Sequence, residues 1–408
     1  MLETPQARWL VRGTAGYRRA TLALFLAGFS TFSLLYCVQP LLPIFAEDFG
    51  VSPAASALPL SLATAALAFA ILVAAVVSEG FGRRGVMFVS MALASVLTMA
   101  AAAAPSWTML LLVRTLSGFV LGGVPAVAMT YLAEETDPRS IGLAMGVYVG
   151  GTAFGGMMGR VATGFLTEFF GWRPALAVIG LICLVSAGGF LALLPPSRNF
   201  TRRTGFDPSY HVRAWLGHLH HGALPLLFSI AFLAMGAFVT IYNYSGYRLV
   251  AAPYDLSQTE LGLIFVVYLF GVGSSSVAGA LADRFGRHIV LPAGILVAMA
   301  GIGITMLPGL GSIILGIVII TIGFFFSHSV ATGWVGRVAT SAKGHASSLY
   351  LLAYYMGSSV AGWMGGWFWA WKGWPGVAAF TLGLFALALC AALRLNTLTR
   401  ADSAEPSC

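Results

Sequence analysis

Arg114, Arg160 and His328 stand inside stretches that are otherwise apolar for roughly 20 residues or more. A guanidinium in such a setting is costly to leave unpaired, so each arginine must meet carbonyls, a polar side chain or a bound anion. For Arg114 two roles stay open: a packing element bonded to carbonyls or to Gln39, or a fork that grips the carboxylate or phosphate of a solute. Arg160 lies at a similar depth on the neighbouring antiparallel stretch, so the two arginines form a positive locus. His328, within Phe324-Phe325-Phe326-Ser327-His328-Ser329, is of the residue type whose unperturbed pKa falls in the physiological range, which suits a proton carrier, or else it is a hydrogen-bonded packing residue. This is chemistry of binding and proton movement. No nucleophile–base set, metal constellation or phosphate loop accompanies it, so neither an enzyme nor a bound cofactor or metal is expected.

The elements that position these residues are long apolar segments. Of the 408 residues 58% are hydrophobic and 9% charged, about a third of the charged share of soluble domains. Lipid must therefore be the solvent for most of the chain. Spans are predicted over 20–45, 55–78, 86–104, 107–132, 141–167 and 174–194, then over 223–247, 257–281, 288–307, 310–335, 345–371 and 376–394. Together they make an all-α membrane protein of twelve transmembrane helices. With both termini in the cytoplasm, most of the 22 Lys and Arg residues fall on the cytosolic side. Only Arg173, Arg248 and Lys372 fall outside, and Arg114 and Arg160 lie within spans. The charge of +8 then reads as membrane topology, and no nucleic-acid partner is expected. The cysteines suggest no disulfide framework.

The chain is duplicated. Glu79-Gly80-Phe81-Gly82-Arg83-Arg84 and Asp283-Arg284-Phe285-Gly286-Arg287-His288 each follow the second span of their half. In such a loop a carboxylate at a helix end pairs with a base or a helix N-terminus, Gly82 or Gly286 permits a tight turn, and Arg83, Arg284 or Arg287 supplies countercharge. Gly171-Trp172-Arg173-Pro174 likewise resembles Gly373-Trp374-Pro375. The expected domains are residues 1–194, a cytosolic linker over 195–222, and residues 223–408. Four histidines in the linker are read as part of a partly helical segment lying against anionic headgroups. Gly118 and Gly122 follow Arg114 at four-residue spacing, and Gly151, Gly155 and Gly159 repeat the spacing in the fifth span, as close helix packing requires.

On these motifs the chain resembles transporters of the major facilitator superfamily over nearly its full length. Asp283-Arg284-Phe285-Gly286-Arg287 resembles the superfamily's loop motif. Tyr242-Asn243-Tyr244-Ser245-Gly246-Tyr247-Arg248 and Lys343-Gly344-His345-Ala346-Ser347-Ser348-Leu349-Tyr350 look like its YnfM-type bacterial branch. The first loop departs from the motif, with Glu79 and Gly80 where the family has Asp and Arg. The glycine-rich fifth span departs too, with Gly156 for a Pro and Arg160 for a Gly.

The resemblance implies the major facilitator fold, two pseudo-symmetric six-helix bundles around a midplane site. It implies that Arg114 is tied to proton transfer, and that Tyr36, Gln39, Tyr148, Tyr242, Asn243, Tyr268, Tyr354 and Tyr355 line a cavity. The expected function is secondary transport of a small organic solute across a bacterial inner membrane by proton-coupled efflux. Alternatives are a symporter importing an anionic metabolite and a non-transporting sensor. Partners are the solute, protons and the bilayer, and the chain is expected to be a monomer. No Asp or Glu falls in the middle of a span, which favours an anionic or neutral solute over a cationic one.

Overall fold

The computed structural model of the chain describes residues 9–199 and 208–404. Arg202, Arg203, Asp207 and Cys408 lie outside the described residues, as does the side chain of Glu79. The first half contains α1 (Ala15–Tyr36), a 3-10 turn at Gln39–Leu41, α2 (Leu42–Asp48), α3 (Pro53–Ser56) and α4 (Leu58–Phe81). It continues with α5 (Arg83–Ala102), α6 (Trp107–Leu121), α7 (Pro125–Glu135), α8 (Ile141–Phe170) and α9 (Trp172–Leu193). After α10 (Pro208–Leu219) in the linker come α11 (Leu224–Leu249), α12 (Gln258–Leu263), a 3-10 turn at Ile264–Val267 and α13 (Tyr268–Phe285). The chain ends with α14 (Arg287–Thr305), α15 (Leu310–Val338) and α16 (Lys343–Ala404).

Ten helical runs among the described residues are long and apolar enough to cross a membrane, and Leu58–Ala74 adds a shorter one. The run that includes α16 divides at Lys372 (φ −141°, ψ 20°) and Gly373 (φ 58°, ψ −141°). All twelve expected spans are therefore helical. Several are interrupted: the second at Ala57, the eighth by the 3-10 turn at Ile264–Val267, and the first and fourth more sharply. The first ends at Tyr36, because Pro40 and Pro43 lack the N–H that would carry the helix onward. The fourth breaks at Gly122–Val124, where two glycines precede Pro125. In the repeated loops Gly82 (φ 87°) and Gly286 (φ 88°) each end one helix and begin the next. That backbone conformation is closed to residues with a Cβ.

The chain forms two compact units, Met1–Leu41 with Leu62–Phe206 and Leu42–Ser61 with Asp207–Cys408. In the first, α1 packs on α8 along a stripe of glycines. A Cβ on Gly151 would lie 2.5 Å from the Phe25 carbonyl oxygen, and one on Gly155 2.5 Å from Phe29 Cα. One on Gly159 would lie 2.7 Å from Ser33 Cα, and Ser33 Oγ donates to the Gly155 carbonyl at 2.9 Å. In the second unit α11 meets α16 in the same manner: Cβ atoms on Gly357 and Gly365 would lie 2.7 Å from Phe232 Cα and from the Tyr244 ring. The segment Leu42–Ser61 is held in this unit by Tyr247, whose hydroxyl donates to the Leu42 carbonyl at 3.0 Å and lies 2.6 Å from Ser56 Oγ.

Helix ends are capped by arginines. Arg173 at the start of α9 donates to the Ala102 and Ala104 carbonyls at the end of α5 (3.0 and 2.8 Å) and lies over the Trp172 ring. The second Gly-Trp-Pro copy lacks that arginine. There Arg248 of α11 reaches the Thr305 carbonyl at the end of α14 at 2.5 Å and lies over Trp374.

Close backbone approach predicts a sharp contrast between glycines of one helix. Gly155→Val should destabilise the protein by about 2 kcal/mol through overpacking against α1, read as a lowered unfolding temperature in detergent. Gly150→Val should leave that temperature unchanged, since nothing lies within 4 Å of a Cβ there.

Candidate functional site

In the first unit the break after α1 gathers the buried charges. A helix that stops leaves its last carbonyls without amide partners, and those of Leu34 and Leu35 are taken by Arg114. Its Nη1 donates to Leu34 O at 2.9 Å and its Nη2 to Leu35 O at 2.7 Å. The cation thus sits at the negative end of the α1 dipole. Arg160, from α8, holds the other side of the break. Its Nε donates to Gln39 Oε1 at 2.6 Å, its Nη1 to the Gly156 carbonyl at 2.6 Å, and the guanidinium lies 4.1 Å from the Tyr36 ring centroid. Arg114 is 0% and Arg160 1% exposed, so these bonds replace water for both ions.

Arg114 meets backbone carbonyls, one of the two kinds of packing partner weighed for it, and Gln39, the other, accepts from Arg160. Gly118 and Gly122 pack closely, and the helix they meet is α4. Cβ atoms there would lie 2.6 Å from Ala63 Cα and 2.5 Å from Ala70 Cβ of α4, while the arginine extends to α1. Tyr148 is not brought to this cluster. It is buried among Tyr17, Leu24, Val127, Tyr131 and Ala144, and its hydroxyl has no partner among the described residues.

In the second unit the nominated aromatic residues join one column of rings. Tyr242 stacks on Phe265 (5.2 Å, 25°), touches Tyr268 (5.3 Å) and meets Thr321 Oγ1 at 2.7 Å through its hydroxyl. Phe238 links Tyr242 to Phe324, on which it stacks at 3.9 Å and 11°. Phe324 in turn stacks on His328 (5.7 Å, 6°), and His328 contacts Tyr354 at 4.8 Å. The His328 Nδ1 lies 3.0 Å from the Tyr350 hydroxyl, and Tyr355 meets Tyr354 edge-on. Asn243 turns instead toward α16, donating to the Gly362 carbonyl at 3.3 Å.

Sequence reasoning missed Phe238, Phe324 and Tyr350 as members of this column. The pairs Phe238/Tyr242, Phe324/His328 and Tyr350/Tyr354 stand four residues apart, a spacing that places each pair on one helix face. That spacing was the available signal.

The two loop signatures use opposite charges. Arg83 forms a two-pronged ion pair with Glu134 near the end of α7 (2.7 and 3.1 Å), with the arginine 6% exposed. Asp283 faces Arg287 at 3.5 Å and Arg337 near the end of α15 at 3.8 Å. The acid is on the fourth span in the first half and in the loop in the second. Glu134 and Arg337 were not foreseen as partners. Arg284 lies over Phe285. The Asp283 pairs are exposed and carry little stabilisation; the Arg83 pair is the stronger joint.

The Major Facilitator Superfamily model matches residues 24–327 and 226–407 of the chain. The inner membrane transport protein YnfM of Escherichia coli (strain K12) is 45% identical over 95% of this chain and 93% of its own length. An uncharacterised MFS-type transporter of Bacillus subtilis (strain 168), YybF, is 43% identical over 93% of this chain and 94% of its own. Among solved structures, a bacterial homolog of the human lysosomal transporter Spinster shares the fold, with a TM-score of 0.72 at 17% identity over 95% of this chain and 98% of that one. The chain belongs to the Major Facilitator Superfamily, and is a multi-pass membrane transporter of small molecules rather than an enzyme.

Proposed function

We propose that this transporter exports a small organic solute, anionic or neutral, in exchange for protons. In this proposal the six-helix halves 1–194 and 223–408 rock about the linker at 195–222, exposing the solute site to one side at a time. The protein works as a monomer in the bacterial inner membrane with both termini in the cytoplasm. The observation that carries the solute class is the pair of fully buried guanidiniums at the α1 break, in a chain without a mid-span carboxylate. A cation would be repelled by that locus. A carboxylate can exchange with Gln39 or a carbonyl as hydrogen-bond acceptor for the arginine fork.

His328 is the proposed proton carrier. In the tautomer that donates Nδ1–H to the Tyr350 hydroxyl, 3.0 Å away, Nε2 gains and loses the proton, within a ring column that offers flat apolar surface to a solute. The arginine pair also supports a second direction, import of an anionic metabolite with protons.

Proteoliposomes separate these readings. With an acidic lumen in everted vesicles, export predicts accumulation of solute and loss of lumenal protons. Symport predicts uptake into right-side-out vesicles that rises with external acidity. A screen in which lipophilic cations are carried and organic anions and neutral solutes are ignored would overturn the solute class.

Arg160→Lys keeps the charge but loses the fork, and should reduce transport by about tenfold to a hundredfold with normal insertion. Full activity in that variant removes Arg160 from the site. His328→Asn should leave facilitated solute movement and abolish its dependence on the proton gradient. An unchanged pH profile excludes His328 as the carrier.

A further inference from the structure

The linker helix α10 (Pro208–Leu219) presents three different faces. His211, Trp215 and His218 bind it to the start of α16: His211 Nδ1 lies 2.9 Å from His345 Nε2, Trp215 Nε1 donates to Ser348 Oγ at 3.3 Å, and His218 Nε2 lies 3.2 Å from the Ala342 carbonyl oxygen. Arg213, Ala214 and Gly217 line an open cleft of about 450 Å³ shared with Thr340 and Ser341. The third face is apolar and uncovered. Val212, Leu216 and Leu219, spaced four and three residues apart, are 47%, 48% and 48% exposed.

An uncovered apolar stripe on a short helix needs an occupant, and the position of α10 names it. Its last residue is Leu219, and α11 begins at Leu224 as a membrane-crossing helix, so α10 is tethered to the bilayer surface by four residues. The linker carries Arg198, Arg202, Arg203 and Arg213 against the single acid Asp207, a balance that complements anionic headgroups.

We propose that α10 lies in the interfacial layer of the bilayer, with Val212, Leu216 and Leu219 buried among lipid and anionic phospholipid as its preferred partner. The opposite side of the helix keeps the Arg213–Gly217 cleft in water. Because the remaining face is fastened to His345 and Ser348, the surrounding lipid acts mechanically on α16. The inference goes beyond the transport reading and does not require it.

Nitroxide labels at positions 212, 213, 216, 217 and 219, in a chain whose four native cysteines are replaced by alanine, test the orientation in phosphatidylglycerol-containing nanodiscs. Positions 212, 216 and 219 should collide more with oxygen than with a water-soluble nickel chelate, and 213 and 217 the reverse. Equal access of nickel to all five, or protection of the stripe from both reagents, overturns the proposal. The native sequence provides an independent measurement. A phosphatidylglycerol carrying a diazirine near its headgroup should form adducts on Val212, Leu216 or Leu219, detected by mass spectrometry. Adducts confined to other helices would overturn the placement. Equal labelling by the phosphatidylcholine analogue would overturn the preference for anionic lipid.

Discussion

A buried guanidinium must have acceptors, and in this chain a helix is interrupted where two of them need supplying. Proline at positions 40 and 43 stops α1 within the membrane, which would strand its last carbonyls in lipid. Arg114 takes two of these carbonyls and Arg160 takes the Gln39 side chain beyond them. Neither the ions nor the break is tolerable alone in an apolar medium. Their pairing fixes α6 and α8 against the same few residues of α1, and the glycine stripe of α8 brings its backbone close enough for the short reach. Under the proposed function, structural support and solute recognition need not compete. An arginine already posed on neutral acceptors is pre-oriented for an anion that presents better ones.

Much of the architecture was legible from the residues because membrane spans are the strongest pattern a sequence can carry. The duplicated loops, the Gly151/Gly155/Gly159 stripe and the position of both arginines inside long apolar helices followed from spacing alone. The partners did not. Nothing in the sequence says that Gln39 turns to Arg160, or that Arg83 meets Glu134, because those meetings depend on helix rotation and on which helices touch. Tyr148 illustrates the same limit. A tyrosine on a nominated helix entered an apolar cluster beside Tyr17 and Tyr131, and a helical period cannot tell a cavity face from a core face. The aromatic column of the second unit was half visible, as pairs four residues apart, and needed three dimensions to become continuous.

The two halves preserve joints while exchanging the parts that make them. The fourth span meets the repeated loop through an ion pair in both, with acid and base interchanged between Arg83–Glu134 and Arg337–Asp283. The third span is capped by an arginine lying over a tryptophan in both. The arginine is Arg173 beside Trp172 in one half, and Arg248 from another helix over Trp374 in the other. After duplication the constraint on each joint is a satisfied carbonyl or a neutralised charge, and either side of the contact can provide it. Sequence alignment of the halves therefore understates their likeness.

The arginines at helix ends have a chemical property in common. Arg114 on α1, Arg173 on α5, Arg248 on α14, and Arg19 and Arg84 on the last carbonyls of α9 all use guanidinium groups, whose flat fork carries five N–H donors in fixed directions. A lysine ammonium at the same places would be a point charge without that fork. One side chain thus closes two carbonyls of a neighbouring helix from the side, so a span can end in an apolar medium without a capping residue of its own.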